Sequence, residues 1–279
     1  MRISSPDRVM DQASGTTKLQ LARYHEALLP LLLPYATNRP VALVRCPSGD
    51  AAACFFQKRT SRGMTRAVKH RQIAGNEVVY VSDARGWLEL VQFNAVEFHG
   101  WGSRLPQFNK PDWMVFDLDP DTGVEFARVI DAAREIRERL KKLELRSFVK
   151  TTGGKGLHVV VPLAPKHDWD EVKAFAEGFA GVMVADAPKA YVATMSKAKR
   201  AGKIFIDWLR NGLGATAVLP YSPRARPGCT VAMPVSWDEL DGLDPKTFTV
   251  ASVPGILKKR RKDPWAQFLG VEQQLPKVH

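Results

Sequence analysis

Trp113-Met-Val-Phe-Asp117-Leu-Asp119-Pro120 decides the reading of this chain. An apolar run that delivers acids reads as a strand, and side chains two apart on a strand share a face. Asp117 and Asp119 therefore converge. Two convergent carboxylates repel each other unless a cation lies between them. Hard oxygen donors of this kind suit Mg2+ or Mn2+. A second apolar run, Ile204-Phe-Ile-Asp207, ends on a third acid. Three strand-borne carboxylates form the donor set for two divalent ions, which activate a hydroxyl and hold a triphosphate for in-line displacement.

A strand-end D-x-D pair also occurs as a turn or capping feature. Phosphatases of the haloacid dehalogenase type open on an apolar strand with D-x-D as well. They need Thr or Val two residues after the second acid, where Asp121 stands here.

Downstream, Ser147-Phe-Val-Lys150-Thr-Thr152-Gly-Gly-Lys155-Gly-Leu-His158 reads as strand, glycine-rich turn, strand. Glycines let backbone amides approach an anion closely. Thr152 adds a hydroxyl, Lys155 a cation and His158 an imidazole. The spacing is not that of a Walker A loop, and a strand follows rather than a helix.

The chain has 279 residues, with 41 Lys plus Arg against 29 Asp plus Glu, a net charge of +12. That excess favours a polyanionic partner, nucleic acid first. The most apolar stretch, Ala27–Leu33, is broken by Pro30, far short of the ~20 residues that span a bilayer. No membrane association is expected. Cys46, Cys54 and Cys229 make no C-x-x-C pair and are expected to be reduced.

Helices are expected at Thr17–Leu33, closed by Pro34, and at Asp83–Phe93, Val124–Leu143 and Glu171–Val184. Strands are expected at Val41–Arg45, Ala53–Gln57, Val78–Ser82, Ala95–His99, Trp113–Asp117, Arg146–Lys150, Leu157–Pro162 and Ile204–Trp208. Residues 1–15 read as an arm. The interspersed pattern with hairpin-like pairs gives an α+β (mixed α/β) fold, with a mixed or antiparallel central sheet flanked by helices. One catalytic domain over 1–279 is expected, with an N-terminal lobe over about 1–105 and a catalytic core over about 106–279.

D-L-D-P, then T-G-G-K-G-L-H-V, then F-I-D-W-L-R-N is the motif order of the archaeo-eukaryotic primase superfamily. The chain most resembles the polymerase domain of bacterial DNA ligase D, of non-homologous end joining, from Ser5 to about Trp265. The resemblance implies a nucleotidyltransferase that extends primer 3′-hydroxyls with NTPs or dNTPs at gaps and broken ends bearing a 5′-phosphate. It implies Asp117, Asp119 and Asp207 as ligands of two Mn2+ or Mg2+ ions. Thr152, Lys155, His158, Arg200, Arg224, Arg226 and His99 resemble the nucleotide-binding residues. Ser5, Arg8 and Lys18 align with the 5′-phosphate pocket, and Phe55 and Phe56 with an aromatic pair on the template. Ser5 and Arg8 stand where the family often has Asn and Lys. Because Phe55 and Phe56 alternate on a strand, one of them is expected to face the core. The implied partners include a Ku-type end-binding protein and a DNA ligase, and the implied place is the cytoplasmic nucleoid. A primase that starts strands de novo and a non-catalytic end-binding module are the alternatives.

Overall fold

Two units emerge in the computed structural model, which describes residues 3–49 and 53–276. The first takes the described residues up to Trp101 and adds Val218–Met233 and Asp244–Lys262. The second takes Gly102–Ala217, Pro234–Leu243 and the described residues from Asp263 onward.

The first unit opens with β1 (Val9–Asp11), which pairs antiparallel with β2 (Thr16–Thr17). The segment expected as an arm thus contains a short ribbon. α1 (Lys18–Ala36) starts at a capping box, in which Thr17 and Gln20 satisfy each other's backbone amides. It does not stop at Pro34. Pro30 and Pro34 both lie inside the helix on its exposed side, where water can reach the carbonyls they leave unbonded.

Then follow β3 (Val41–Arg45), β4 (Phe55–Gln57), β5 (Lys69–Ile73), β6 (Asn76–Tyr80), α2 (Ala84–Gln92) and β7 (Ala95–Gly100). The strands run in the order β7-β3-β6-β5, and β4 lies off this path, paired with β3. That position leaves both Phe55 and Phe56 exposed, at 45% and 49%. The expected alternation into a core fails: among the described residues neither ring is buried. The β3–β4 register places Arg45 opposite Phe55. The next pair outward is Cys46 and Cys54, which are joined in a disulfide. This corrects the expectation of reduced cysteines: the hairpin, not a sequence motif, brings the pair together.

His25 of α1 is fully buried and accepts a hydrogen bond at Nδ1 from Trp87 Nε1 at 3.1 Å. Burial drives its pKa down to about 3. The unfolded chain therefore binds a proton below about pH 6.5 that the folded chain refuses. Stability is expected to fall on acidification from pH 7 to 5, His25 contributing up to about 1.4 kcal/mol per pH unit. In His25→Gln, urea unfolding should show a slope shallower by that amount. An equal slope would mean that His25 does not carry this proton linkage.

In the second unit β8 (Trp113–Pro120) is central. α3 (Phe126–Lys142), β9 (Phe148–Thr151), β10 (Leu157–Pro162), α4 (Trp169–Asp186), β11 (Tyr191–Val192) and β12 (Ile204–Asp207) follow. After β13 (Ala217–Val218), β14 (Pro234–Val235) completes a mixed sheet in the order β11-β12-β8-β10-β9-β14. All its pairings are antiparallel except β11 with β12. The α+β expectation holds. α5 (Val253–Lys259) lies in the part of the chain that returns to the first unit.

α3 buries Ile130, Ala133, Ile136 and Leu140 as its periodicity predicts. Leu143 remains 40% exposed. Phe116 of β8 lies against Phe179 of α4, with ring centroids 4.8 Å apart. Phe116 thus faces the helices, so Asp117 and Asp119 face away from them. Among the described residues no helix is long and apolar enough to cross a membrane.

Candidate active site

β8 is flanked by β12 on one edge and β10 on the other. Register sets Asp207 opposite Asp117 across one edge and His158 opposite Asp117 across the other. Three residues far apart in sequence are thus brought side by side. Asp119 follows two residues on, opposite Phe205.

The turn before β10 needs glycine at two places. Gly153 has φ +69°, the left-handed region. A Cβ on Gly156 would lie 2.4 Å from the Leu118 carbonyl oxygen. Gly156 therefore lets the turn close against β8 itself. Thr152 donates from its hydroxyl to the Gly156 carbonyl at 3.1 Å and accepts from the Gly154 amide at 3.3 Å. Lys155 projects from this turn and is exposed.

The carboxylates differ in their electrostatics. Burial opposes ionisation of Asp117, but His158, Arg210 and Lys150 overcome it and hold the acid well below the usual range. Asp119 is raised by burial and by Asp117, against Arg200 and Lys155. Asp207 is raised by burial and by Asp117, against Arg210. His158 is buried, and burial with Lys150 lowers it to about 4. At neutral pH it is therefore an uncharged imidazole, whose Nε2–H lies 3.2 Å from Asp117 Oδ1.

Two cations in this group were not singled out from sequence. Arg210 sits in the 3-10 turn Leu209–Asn211 and pairs with Asp207 at 3.0 Å and Asp117 at 3.2 Å. Asn211, buried beside it, clamps the turn to β8 by accepting from Val115 N at 2.7 Å and donating to Val115 O at 2.8 Å. Lys150 is buried on β9 in register with His158. The signal for Arg210 was its place three residues after Asp207, one helical turn on. Lys150 carried the signal of a charge inside an apolar strand. Arg200, which was expected, lies 3.6 Å from Asp119 and stacks over Phe205 at 3.7 Å.

Among the described residues no three His, Cys, Asp or Glu side chains form a coordinating cluster. Guanidinium groups meet the carboxylates instead. The donor chemistry fits a divalent ion nonetheless. Burial and Asp117 disfavour the charged forms of Asp119 and Asp207, a cost that a divalent Mg2+ or Mn2+ ion on these hard carboxylate oxygens would relieve.

Within the first unit, Ser5, Arg8 and Lys18 lie in one neighbourhood. Arg8 donates to the Pro47 carbonyl at 2.5 Å and lies 3.5 Å from Ser5 Oγ. Lys18 donates to the Gln92 carbonyl at 2.6 Å and reaches Ser4 Oγ at 3.5 Å. Burial and the neighbouring Arg8 lower Lys18 to about 8. Two cations set side by side in this way suit an anion. Ser4 and Gln92, which hydrogen-bond each other, complete the group and were not anticipated. Ser5 has φ +49°, a conformation Asn tolerates better than Ser.

Elsewhere in this unit His99 lies edge-on to Phe56, with ring centroids 5.7 Å apart. Lys58 sits 5.8 Å from the Phe56 ring and Arg45 5.5 Å from the Phe55 ring. Arg224 pairs with Glu97 at 3.0 Å. Arg226 is exposed. Glu97 was not anticipated, although the alternation rule that paired Asp117 with Asp119 also pairs Glu97 with His99 on β7.

Residues 17–265 match the family described as LigD, primase-polymerase domain. The chain belongs to that family. Among LigD relatives, the multifunctional non-homologous end joining protein of Pseudomonas aeruginosa is 37% identical over 281 residues, covering 99% of this chain. That of Mycolicibacterium smegmatis is 34% identical over 86% of this chain. The chain spans about a third of these relatives' length, 34% and 32% respectively. Its fold is similar to the polymerase domain of Mycobacterium tuberculosis Ligase D solved with DNA, with a TM-score of 0.85 and 30% identity over 93% of this chain and 94% of that one.

Proposed function

We propose that the chain acts as one DNA-dependent nucleotidyltransferase domain, extending primer 3′-hydroxyls with NTPs or dNTPs at gaps and broken ends during non-homologous end joining. The observation that carries this reading is the register that sets Asp207 opposite Asp117, with Asp119 on the same strand as Asp117. Asp117, Asp119 and Asp207 would hold two divalent ions, Mn2+ or Mg2+. Such ions supply Lewis acidity to the α-phosphate and lower the pKa of the attacking hydroxyl.

The side chains do the rest. His158 donates to Asp117 and keeps its free lone pairs directed. In the second unit Thr152, Lys155 and Arg200 are the residues for the triphosphate, and the charge of Lys155 and Arg200 offsets what develops on the pyrophosphate as it leaves. In the first unit Arg224 and Arg226 are proposed as nucleotide-binding residues. His99 takes the nucleotide near its sugar. Ser5, Arg8 and Lys18 receive the 5′-phosphate. The exposed pair Phe55 and Phe56 offers faces on which template bases stack. The fitting partners are a Ku-type end-binding protein and a DNA ligase, acting at the bacterial nucleoid.

The test is primer extension on a gapped duplex with Mn2+ and nucleoside triphosphates. Templated addition of nucleotides supports the reading, and no addition overturns it. A second expectation concerns the pocket. Removing the 5′-phosphate should weaken binding about 10-fold, the scale of one or two charge-assisted hydrogen bonds. Lys18→Ala should erase that difference, as read by fluorescence anisotropy at fixed salt. A full difference in Lys18→Ala would take this residue out of the pocket.

A further inference from the structure

We propose that Glu97 is a positioning residue that holds His99 and Arg224 in place for the incoming nucleotide. The proposal rests on the nucleotide-binding reading of His99 and Arg224 given above. Glu97 and His99 are two apart on β7 and share a face, while Phe98 between them points into the core and stacks on Trp87 at 4.1 Å. Glu97 Oε2 accepts from His99 Nε2 at 2.7 Å and pairs with Arg224 Nε at 3.0 Å. Its other oxygen accepts from the Ala225 amide at 2.8 Å. One carboxylate thus ties a strand histidine to the Arg224-Ala225-Arg226 segment.

Glu97 is only 5% exposed. A buried carboxylate is costly unless ionised partners and hydrogen bonds satisfy it, and an apolar residue commonly serves stability as well or better. Here burial opposes ionisation, but His99, Arg224 and the Ala225 amide hold the acid down to about 2. The segment itself has other anchors. Leu219 N donates to Phe98 O at 2.9 Å, and Phe98 N donates to Ser222 Oγ at 2.9 Å. β7 and the 219–225 stretch are therefore tied without Glu97. What Glu97 adds is the orientation of the His99 ring and the Arg224 guanidinium.

Glu97→Gln keeps the shape but removes the charge that faces Arg224 and turns one oxygen into a donor, which then faces His99 Nε2, the Arg224 guanidinium or the Ala225 amide. The readouts are nucleoside triphosphate affinity of the full chain with Mn2+ and no primer, primer-extension kinetics, affinity for gapped DNA and the thermal midpoint. In Glu97→Gln the triphosphate Kd and KM should both rise about 10-fold while kcat changes less than about 3-fold. DNA affinity should stay as in the parent, and the 15N resonances of the His99 ring should shift. An unchanged Kd overturns the proposal. A Kd that rises only together with lost DNA affinity and a lowered thermal midpoint also overturns it, since the role is then structural. If the parent binds triphosphate but extends no primer, the polymerase reading fails while the Glu97 comparison still decides. If the parent binds no triphosphate, both fall.

Discussion

Asp117→Asn is expected to lower nucleotide addition by at least ~10³-fold, comparable to removing a preorganised group that meets charge in the transition state. The reasoning begins with register. Asp117 alone among the three acids has a functional neighbour on both flanking strands, Asp207 on β12 and His158 on β10. It is also the acid whose ionised form the surroundings favour, through His158, Arg210 and Lys150. Asparagine is nearly isosteric, so the strand persists. The charge that a divalent ion needs is gone, and the amide NH2 points a donor at either the His158 Nε2–H or the Arg210 guanidinium. Binding to gapped DNA should change little, because the candidate DNA residues Ser5, Arg8, Lys18, Phe55 and Phe56 belong to the other unit. Single-turnover extension and anisotropy on one preparation check both halves. A rate within about tenfold of the parent would remove Asp117 from the centre.

The central strand was legible because apolar alternation and a D-x-D pair leave few other readings. Trp113–Asp117 was extended only by three residues, to Pro120. Asp207 was legible as the end of an apolar run, but its pairing with Asp117 is a property of register, which single-strand patterns do not carry. Arg210 was hidden because a basic residue in a polar turn looks solvated. Its role depends on the 3-10 turn and on Asn211 clamping that turn to β8. The buried face of α1 is not legible in the sequence for a different reason. Ala27-Leu-Leu-Pro-Leu-Leu-Leu is apolar all round, so periodicity does not select a face. The buried face runs through Leu21, Tyr24, His25, Leu28, Leu32 and Tyr35. The return of Val218–Met233 and Asp244–Lys262 to the first unit left no linear signal, since no long Pro/Gly/Ser linker marks the crossings.

Asp119→Asn is expected to stabilise the metal-free protein, to slow nucleotide addition ~10³-fold and to lose most of the stabilisation by Mn2+. The sign follows from the pKa direction. Burial and Asp117 raise the Asp119 carboxyl above its ordinary value, more than Arg200 and Lys155 lower it. A carboxyl raised in the fold ionises more easily in the unfolded chain. Stability is therefore lost as pH rises through the carboxylate range, and at neutral pH the ionised Asp119 works against the fold. Replacing it by a neutral amide removes that penalty. Asp117→Asn has the opposite sign, because the fold favours that charge. Mn2+ reverses the ranking. An ion that binds only the folded state stabilises it by RT ln(1 + [L]/Kd), about 2.7 kcal/mol at a hundred times Kd. In the parent, the thermal midpoint in Mn2+ should thus exceed that in EDTA by an amount that grows with Mn2+ concentration. Asp119→Asn should start higher in EDTA, gain little from Mn2+ and add nucleotides ~10³-fold more slowly. A variant that is destabilised in EDTA would refute the like-charge strain between Asp117 and Asp119. One that keeps the parent's Mn2+ shift would show that Asp119 is not among the residues holding the ion.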